Sequence, residues 1–124
     1  MIHLDTNYLL GALSSPSTLR SRVMAWIRAG EEIAVSAIVW SEFLTGPVGA
    51  QEIQNAEGIL QGRIVPFDEK EAGIAAKLYN HIGRKRLMRT DCFIAATALG
   101  AGAPLATLNQ KDFVRLAPLG LRIA

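Results

Sequence analysis

Apolar residues along this chain fall into short runs broken by polar and glycine punctuation, and the runs follow two rhythms. Ile2-His3-Leu4 is brief and stops at Asp5-Thr6-Asn7, three residue types that favour helix N-caps. Tyr8-Leu9-Leu10 opens a short helix that fails near Ser14-Ser15-Pro16. Ser17 or Thr18 caps a second helix, with Leu19, Val23, Trp26 and Ile27 at helical spacing and Gly30 as its stop. Ile33-Ala34-Val35 reads as a buried strand ending at Ser36. Ala37–Thr45 is too long and too uniformly apolar to be all strand, so it reads as a helix ended by Gly46-Pro47. A further helix covers about Ala50–Leu60, and Gly62 precedes a strand at Ile64-Val65-Pro66-Phe67. Residues 69–82 are helical by pattern, with Ala72, Ala75, Ala76 and Tyr79 on one face. Asp91 opens a helix running to Gly100 and Gly102. A strand at 104–106, a turn region at 107–113 and a last strand near 121–123 complete the chain.

Strands separated by helices imply parallel pairing, and helices on both faces explain why the strands are apolar runs rather than alternating ones. The expected fold is therefore α/β: a three-layer α/β/α sandwich around a mostly parallel sheet of four or five strands. With 124 residues, half of them hydrophobic, the chain suits a single domain over 1–124.

Composition narrows the setting. Charged residues make up 19% and no low-complexity run stands out. One cysteine, Cys92, excludes an intrachain disulfide and fits a reducing cytosol. The first residues lack the charged and apolar regions of a signal peptide, and no apolar run reaches the roughly 18 residues of a membrane span. A soluble, cytoplasmic protein with no membrane contact is expected. The net charge of +2 is weak support for nucleic acid by itself. Its placement says more: Arg84, Lys85, Arg86 and Arg89 lie close before Asp91, either as a phosphate-holding cluster or as a solvated helix end.

In an open parallel sheet, ligands bind outside the carboxyl ends of the strands. Asp5-Thr6-Asn7, Ser36 and Thr107-Leu108-Asn109 each follow a strand, while Glu42 and Asp91 lie on helices. Asp5 alone reads as a helix cap, and Asp91 alone as a first-turn acid. Glu42 is harder to assign. It sits within Ile38-Val39-Trp40-Ser41-Glu42-Phe43-Leu44, with no Lys or Arg three or four positions away. Buried there it needs a cation, hydrogen-bond donors or a proton; otherwise Ser41, Glu42 and Thr45 form a thin solvated stripe. Three carboxylates together make a hard-oxygen site suited to Mg²⁺ or Mn²⁺. Zinc is disfavoured, since Cys92, His3 and His81 show no ligand spacing.

The residues resemble a known family. Ile2-His3-Leu4-Asp5-Thr6-Asn7 looks like the start of PIN domains. The stretch from Val35 to Gly46 is similar to their second block, with Glu42 as its acid. Asp91-Cys92-Phe93-Ile94-Ala95-Ala96-Thr97-Ala98 resembles the third block, and Leu105-Ala106-Thr107-Leu108-Asn109-Gln110-Lys111-Asp112-Phe113 the fourth. The blocks stand in family order over nearly the whole chain, whose length is typical of VapC-type toxins. The resemblance implies Mg²⁺-dependent endoribonuclease activity (Mn²⁺ substituting), with Asp5, Glu42 and Asp91 holding the metal. It also implies an RNA substrate, a homodimer and an antitoxin partner. Many relatives carry a fourth acid where this chain has Asn109. Asparagine donates an oxygen without a charge; Asn109 is ranked as the fourth site residue ahead of Asp112.

On this reading Thr6 steadies Asp5 or a metal-held water through its hydroxyl, and Leu9, Leu10, Val23 and Trp26 form either a partner surface or core. The rival reading is a non-catalytic PIN-like protein that binds RNA or a partner with a decayed metal site. A dinucleotide or P-loop enzyme is disfavoured, because no glycine-rich loop follows the first strand.

Overall fold

The computed structural model describes all residues 1–124. Four short parallel strands form the sheet: β1 (Ile2–Leu4), β2 (Ile33–Ser36), β3 (Ile64–Val65) and β4 (Leu105–Ala106), in the order β3-β2-β1-β4. Register is set by Ile2 opposite Ile33, His3 opposite both Ala34 and Leu105, Leu4 opposite Ala106, and Val35 opposite Ile64. The side chains of β1, β2 and β4 are buried throughout, as expected of strands covered on both faces.

The helices are α1 (Thr6–Leu13), α2 (Thr18–Arg28), α3 (Ala37–Thr45), α4 (Ala50–Leu60), α5 (Glu69–His81), α6 (Arg89–Gly100) and the short α7 (Gln110–Phe113). Local chemistry sets their starts. Asp5 caps α1, Ser17 caps α2 through the Arg20 amide, and Ser36 caps α3 through the Val39 amide. At α5 the Asp68 amide donates to Glu71 Oε2 at 3.1 Å, one half of a capping box. Helix α1 packs on α2, α3 and α4, while α5 lies along α6. Val39 and Phe43, four residues apart, carry the buried face of α3. One continuous core joins these layers, and Cys92 lies inside it as a small hydrophobe.

Several details differ from the sequence reading. The strand expected over 64–67 stops at Val65, before Pro66, which has no amide to pair, and α6 begins at Arg89 rather than at Asp91. The last strand shrinks to a single parallel bridge between Leu105 and Ile123. The turn region at 107–113 contains α7, continued by a 3₁₀ segment at Val114–Leu119 that buries Leu116. Leu9 and Val23 are fully buried, which makes them core rather than partner surface; Leu10 and Trp26 pack against that core from its edge.

Candidate metal centre

The chain runs β1 to β2 to β3 toward one edge of the sheet, then returns to place β4 on the other side of β1. The order of strands therefore reverses between β1 and β4. Crossovers leave to opposite faces there, which opens a crevice at the carboxyl ends of these two strands. Asp5 directly follows β1, and Thr107 directly follows β4.

These two residues meet. The Thr107 hydroxyl donates to Asp5 Oδ2 at 2.8 Å, and the Thr6 amide donates to Asp5 Oδ1 at 2.8 Å. Thr107 is buried, and its oxygen also accepts the Asn109 amide at 3.0 Å. Asp5 is thus a helix cap and a held carboxylate at once, so the two readings of it were never exclusive. Thr107 stood in the sequence reading as one of the polar residues that follow a strand, but without a task. Its signal was present as a hydroxyl at a strand end, but its partner depends on β4 lying beside β1.

Glu42 lies on the exposed side of α3, together with Ser41 and Thr45. The solvated stripe is what forms, and the argument from a buried, unpaired Glu42 is overturned. The physical reason is that Val39 and Phe43 take the inward face of α3. Glu42 nevertheless turns toward the crevice, since the Thr6 hydroxyl donates to its Oε1 at 2.6 Å. That hydroxyl serves Glu42; the Thr6 amide serves Asp5.

Asp91 sits half-buried in the first turn of α6. Its pKa is raised from the ordinary 3.8 to about 6, first by burial and then by the negative charges of Asp5, Asp112 and Glu42. All four acids therefore share one electrostatic neighbourhood. Neither of the chain's two ion pairs, Met1 with Glu31 and Arg63 with Glu32, involves any of them. Asn109 is exposed and turns its side-chain amide to Asp112 Oδ2 at 2.8 Å, while Asp112 is half-buried. The carboxylates do not close into a finished coordination cage: no three His, Cys, Asp or Glu side chains are placed to hold a metal ion outright. His3 and Cys92 are buried. Burial drives His3 down to about 4, assisted by the N-terminal charge. Burial and then Asp91 push Cys92 up to about 11. His81 ends α5 at the surface.

The donor set suits a hard divalent cation. Like charges crowded at a strand end cost free energy that a cation would relieve, and carboxylate oxygens are what Mg²⁺ and Mn²⁺ prefer. No helix of the chain is long and apolar enough to cross a membrane.

Comparison with known proteins agrees with this geometry. The PIN domain profile matches residues 2–118. Toxin FitB of Neisseria gonorrhoeae is 31% identical over 128 aligned positions, covering 91% of each chain. Ribonuclease VapC of Rickettsia bellii is 38% identical over 58 residues, 45% of this chain and 43% of that protein. Among solved structures, FitAcB from Neisseria gonorrhoeae superposes with a TM-score of 0.74 at 28% identity, covering 99% of this chain and 96% of its own. VapBC2 from Rickettsia felis, bound to a promoter DNA fragment, gives 0.75 at 25% identity, with 100% and 98% covered. The profile match over nearly the whole chain shows that it belongs to the PIN-domain family, and it is similar to proteins named Ribonuclease VapC and Toxin FitB.

Proposed function

We propose that the chain is a divalent-metal-dependent endoribonuclease and the toxin half of a toxin–antitoxin pair. One observation carries the reading: Asp91 is held at about 6 by burial and by three acids from separate parts of the chain, with no basic residue paired to any of them. Asp5, Glu42 and Asp91 would hold Mg²⁺ or Mn²⁺. Such an ion supplies Lewis-acid activation of water and neutralises charge on the phosphoryl oxygens.

The protein's own residues have distinct tasks. Thr107 and the Thr6 amide fix both oxygens of Asp5, leaving its remaining lone pairs directed by the fold. Thr6 orients Glu42, which is exposed enough to reach a water on the substrate side. Asp112 supplies the fourth charge, and Asn109 acts through it by donating to Oδ2. On this reading Asp112, three residues later, would make up for the acid missing at 109, which speaks against a decayed site. Exposed Arg84, Lys85, Arg86 and Arg89 would bind the phosphates of the strand.

Structural relatives are described as complexes such as VapBC2, and this chain is proposed to bind a cognate antitoxin and to form a homodimer. A groove of about 440 Å³ beside α1, α2 and α4, lined by Leu13, Met24, Ile27 and Ile59 with Arg20 at its rim, offers an antitoxin segment an apolar seat. The proposed setting is the cytoplasm.

The test is cleavage of single-stranded RNA with Mg²⁺ and with EDTA, with Asp91→Asn alongside. Cleavage that needs the ion and is lost in the variant supports the proposal; full activity in EDTA, or an unaffected variant, overturns it. Isothermal titration with Mn²⁺ addresses the rival directly, since a decayed site takes up none at millimolar concentration.

A further inference from the structure

A second cavity lies on the far side of α6 from the acids. It measures about 230 Å³, smaller than the roughly 300–1,000 Å³ of drug-sized sites, and leaves room for one flat ring. Phe67 and Phe93 form one wall, edge to face with centroids 5.1 Å apart. Tyr79 forms the other, with the Arg89 guanidinium 5.6 Å above its ring. Alanines of α5, among them Ala76, leave the space between the walls open. At the rim, Asn80 Oδ1 accepts a hydrogen bond from Arg84 Nε at 2.9 Å.

We propose that this pocket between α5 and α6 stacks a nucleobase of the RNA strand whose backbone crosses the acid site. The inference rests on the ribonuclease reading and deepens it. Partly exposed Phe67 and Phe93, with the part of Tyr79 that Arg89 leaves open, offer stacking surface, which every base can use. Asn80 supplies an amide able to meet a base edge. Arg89 lines the pocket and Arg84 reaches its edge through Asn80, both exposed and neither in an ion pair, so phosphates entering there meet unopposed positive charge.

Helix geometry connects the pocket to the acids. Arg89 and Phe93 are four residues apart and share a face; Asp91, midway between them, faces the opposite way. A strand leaving the carboxylates therefore passes around half of α6, a path of about 16 Å for a helix about 10 Å across, which a few nucleotides can span. An apolar side chain of a protein would fill the same volume without using Arg89 or Asn80, so the lining favours a base.

The experiment uses the full chain carrying Asp91→Asn, which keeps RNA intact. A short single-stranded RNA is compared with an abasic strand of equal length by fluorescence anisotropy. The base-bearing strand is expected to bind about tenfold tighter, or about 1.4 kcal/mol. Adding Ala76→Leu, at an exposed helix position, fills the pocket and abolishes the preference while leaving abasic binding unchanged. A preference that survives Ala76→Leu overturns the proposal. So does a loss of self-association in Ala76→Leu with RNA preference intact, which would assign the pocket to a second copy. Independently of any pocket variant, 5-iodouridine RNA is photocrosslinked to the unsubstituted chain in EDTA. Adducts on Phe67, Tyr79 or Phe93 support the site, and adducts only elsewhere overturn it. Failure to bind either strand removes the ribonuclease reading itself and this inference with it; RNA that is cut without any base preference removes this inference alone.

Discussion

Asp5 and Asp91 meet at one crevice, yet the fold treats them differently. Asp5 is gripped at both oxygens, by the Thr6 amide and by the buried Thr107 hydroxyl. Asp91 stands in the first turn of α6 with burial and three negative neighbours working against its charge, and its pKa climbs to about 6. One carboxylate is stabilised by neutral donors that the protein supplies. The other has no such donor, and in the proposed reading a bound cation would offset its charge. The difference separates a carboxylate held in place by the fold from one whose crowded charge motivates the proposed metal.

Breaking the second residue should have the larger effect. Asp91→Asn removes a charge the proposed chemistry needs, and RNA cleavage is expected to fall about 1,000-fold. In EDTA the same change should raise the melting temperature, because a strained like charge is gone. A variant less stable than the parent in EDTA would show that Asp91 is not the strained member of the group.

Titration sharpens the contrast further. Asp91 has a folded pKa above its unfolded value, so the folded chain binds its proton first. In EDTA, stability therefore rises as pH falls from about 6 toward 3.8. His3 has the opposite sign. Its folded pKa of about 4 lies below 6.5, the unfolded chain takes the proton first, and stability falls as pH drops from 6.5 toward 4. The buried imidazole leaves Nε2 without a partner. The two slopes oppose each other over nearly the same window, each at most about 1.4 kcal/mol per pH unit. Urea melts in EDTA between pH 7 and 4 should be nearly flat for the parent. They should fall toward acid in Asp91→Asn, where only His3 remains, and rise toward acid in His3→Leu, where only Asp91 remains. Equal slopes in all three chains would contradict both shifts.

Much of this was legible before any coordinates, for reasons that differ from residue to residue. Asp5, Ser17 and Ser36 announce helix starts because capping is local: the side chain bonds an amide one to three residues on. The strands were legible as apolar runs because helices cover both faces. Glu42 misled because a nine-residue helix rich in apolar side chains does not reveal which stripe turns inward. Val39 and Phe43 take that stripe, while Ile38 and Trp40 remain partly exposed. Thr107 was noted at a strand end but given no partner, because Asp5 lies 102 positions earlier and only the placing of β4 beside β1 brings them together. Whether Asn109 or Asp112 faces the acids was equally non-local, since it depends on the turn into α7.

Loosening Asp5 should cost less than removing Asp91. Thr107→Val keeps the shape of the side chain and deletes the hydroxyl, so one Asp5 oxygen and the Asn109 amide lose a partner. Loss of an orienting hydrogen bond of this kind lowers metal affinity by about 10-fold or more, to be read by Mn²⁺ titration. Circular dichroism should stay unchanged. Unchanged affinity would mean that Asp5 is oriented by its own helix cap alone.

Thr6→Val is the milder counterpart and the finest test of the comparison. It deletes the hydroxyl held by Glu42 but leaves the Thr6 amide on Asp5, so the cap of α1 survives. The lost bond is exposed to solvent, where water replaces it, and Thr and Val have similar helix propensities. Stability should therefore change by less than about 0.5 kcal/mol in urea melts. Metal affinity should fall less than in Thr107→Val, because Glu42 can still swing toward the crevice while Asp5 keeps its grip. The reverse order, with Thr6→Val the more damaging to Mn²⁺ binding, would place the structural centre of the site at Glu42 rather than at the junction of β1 and β4.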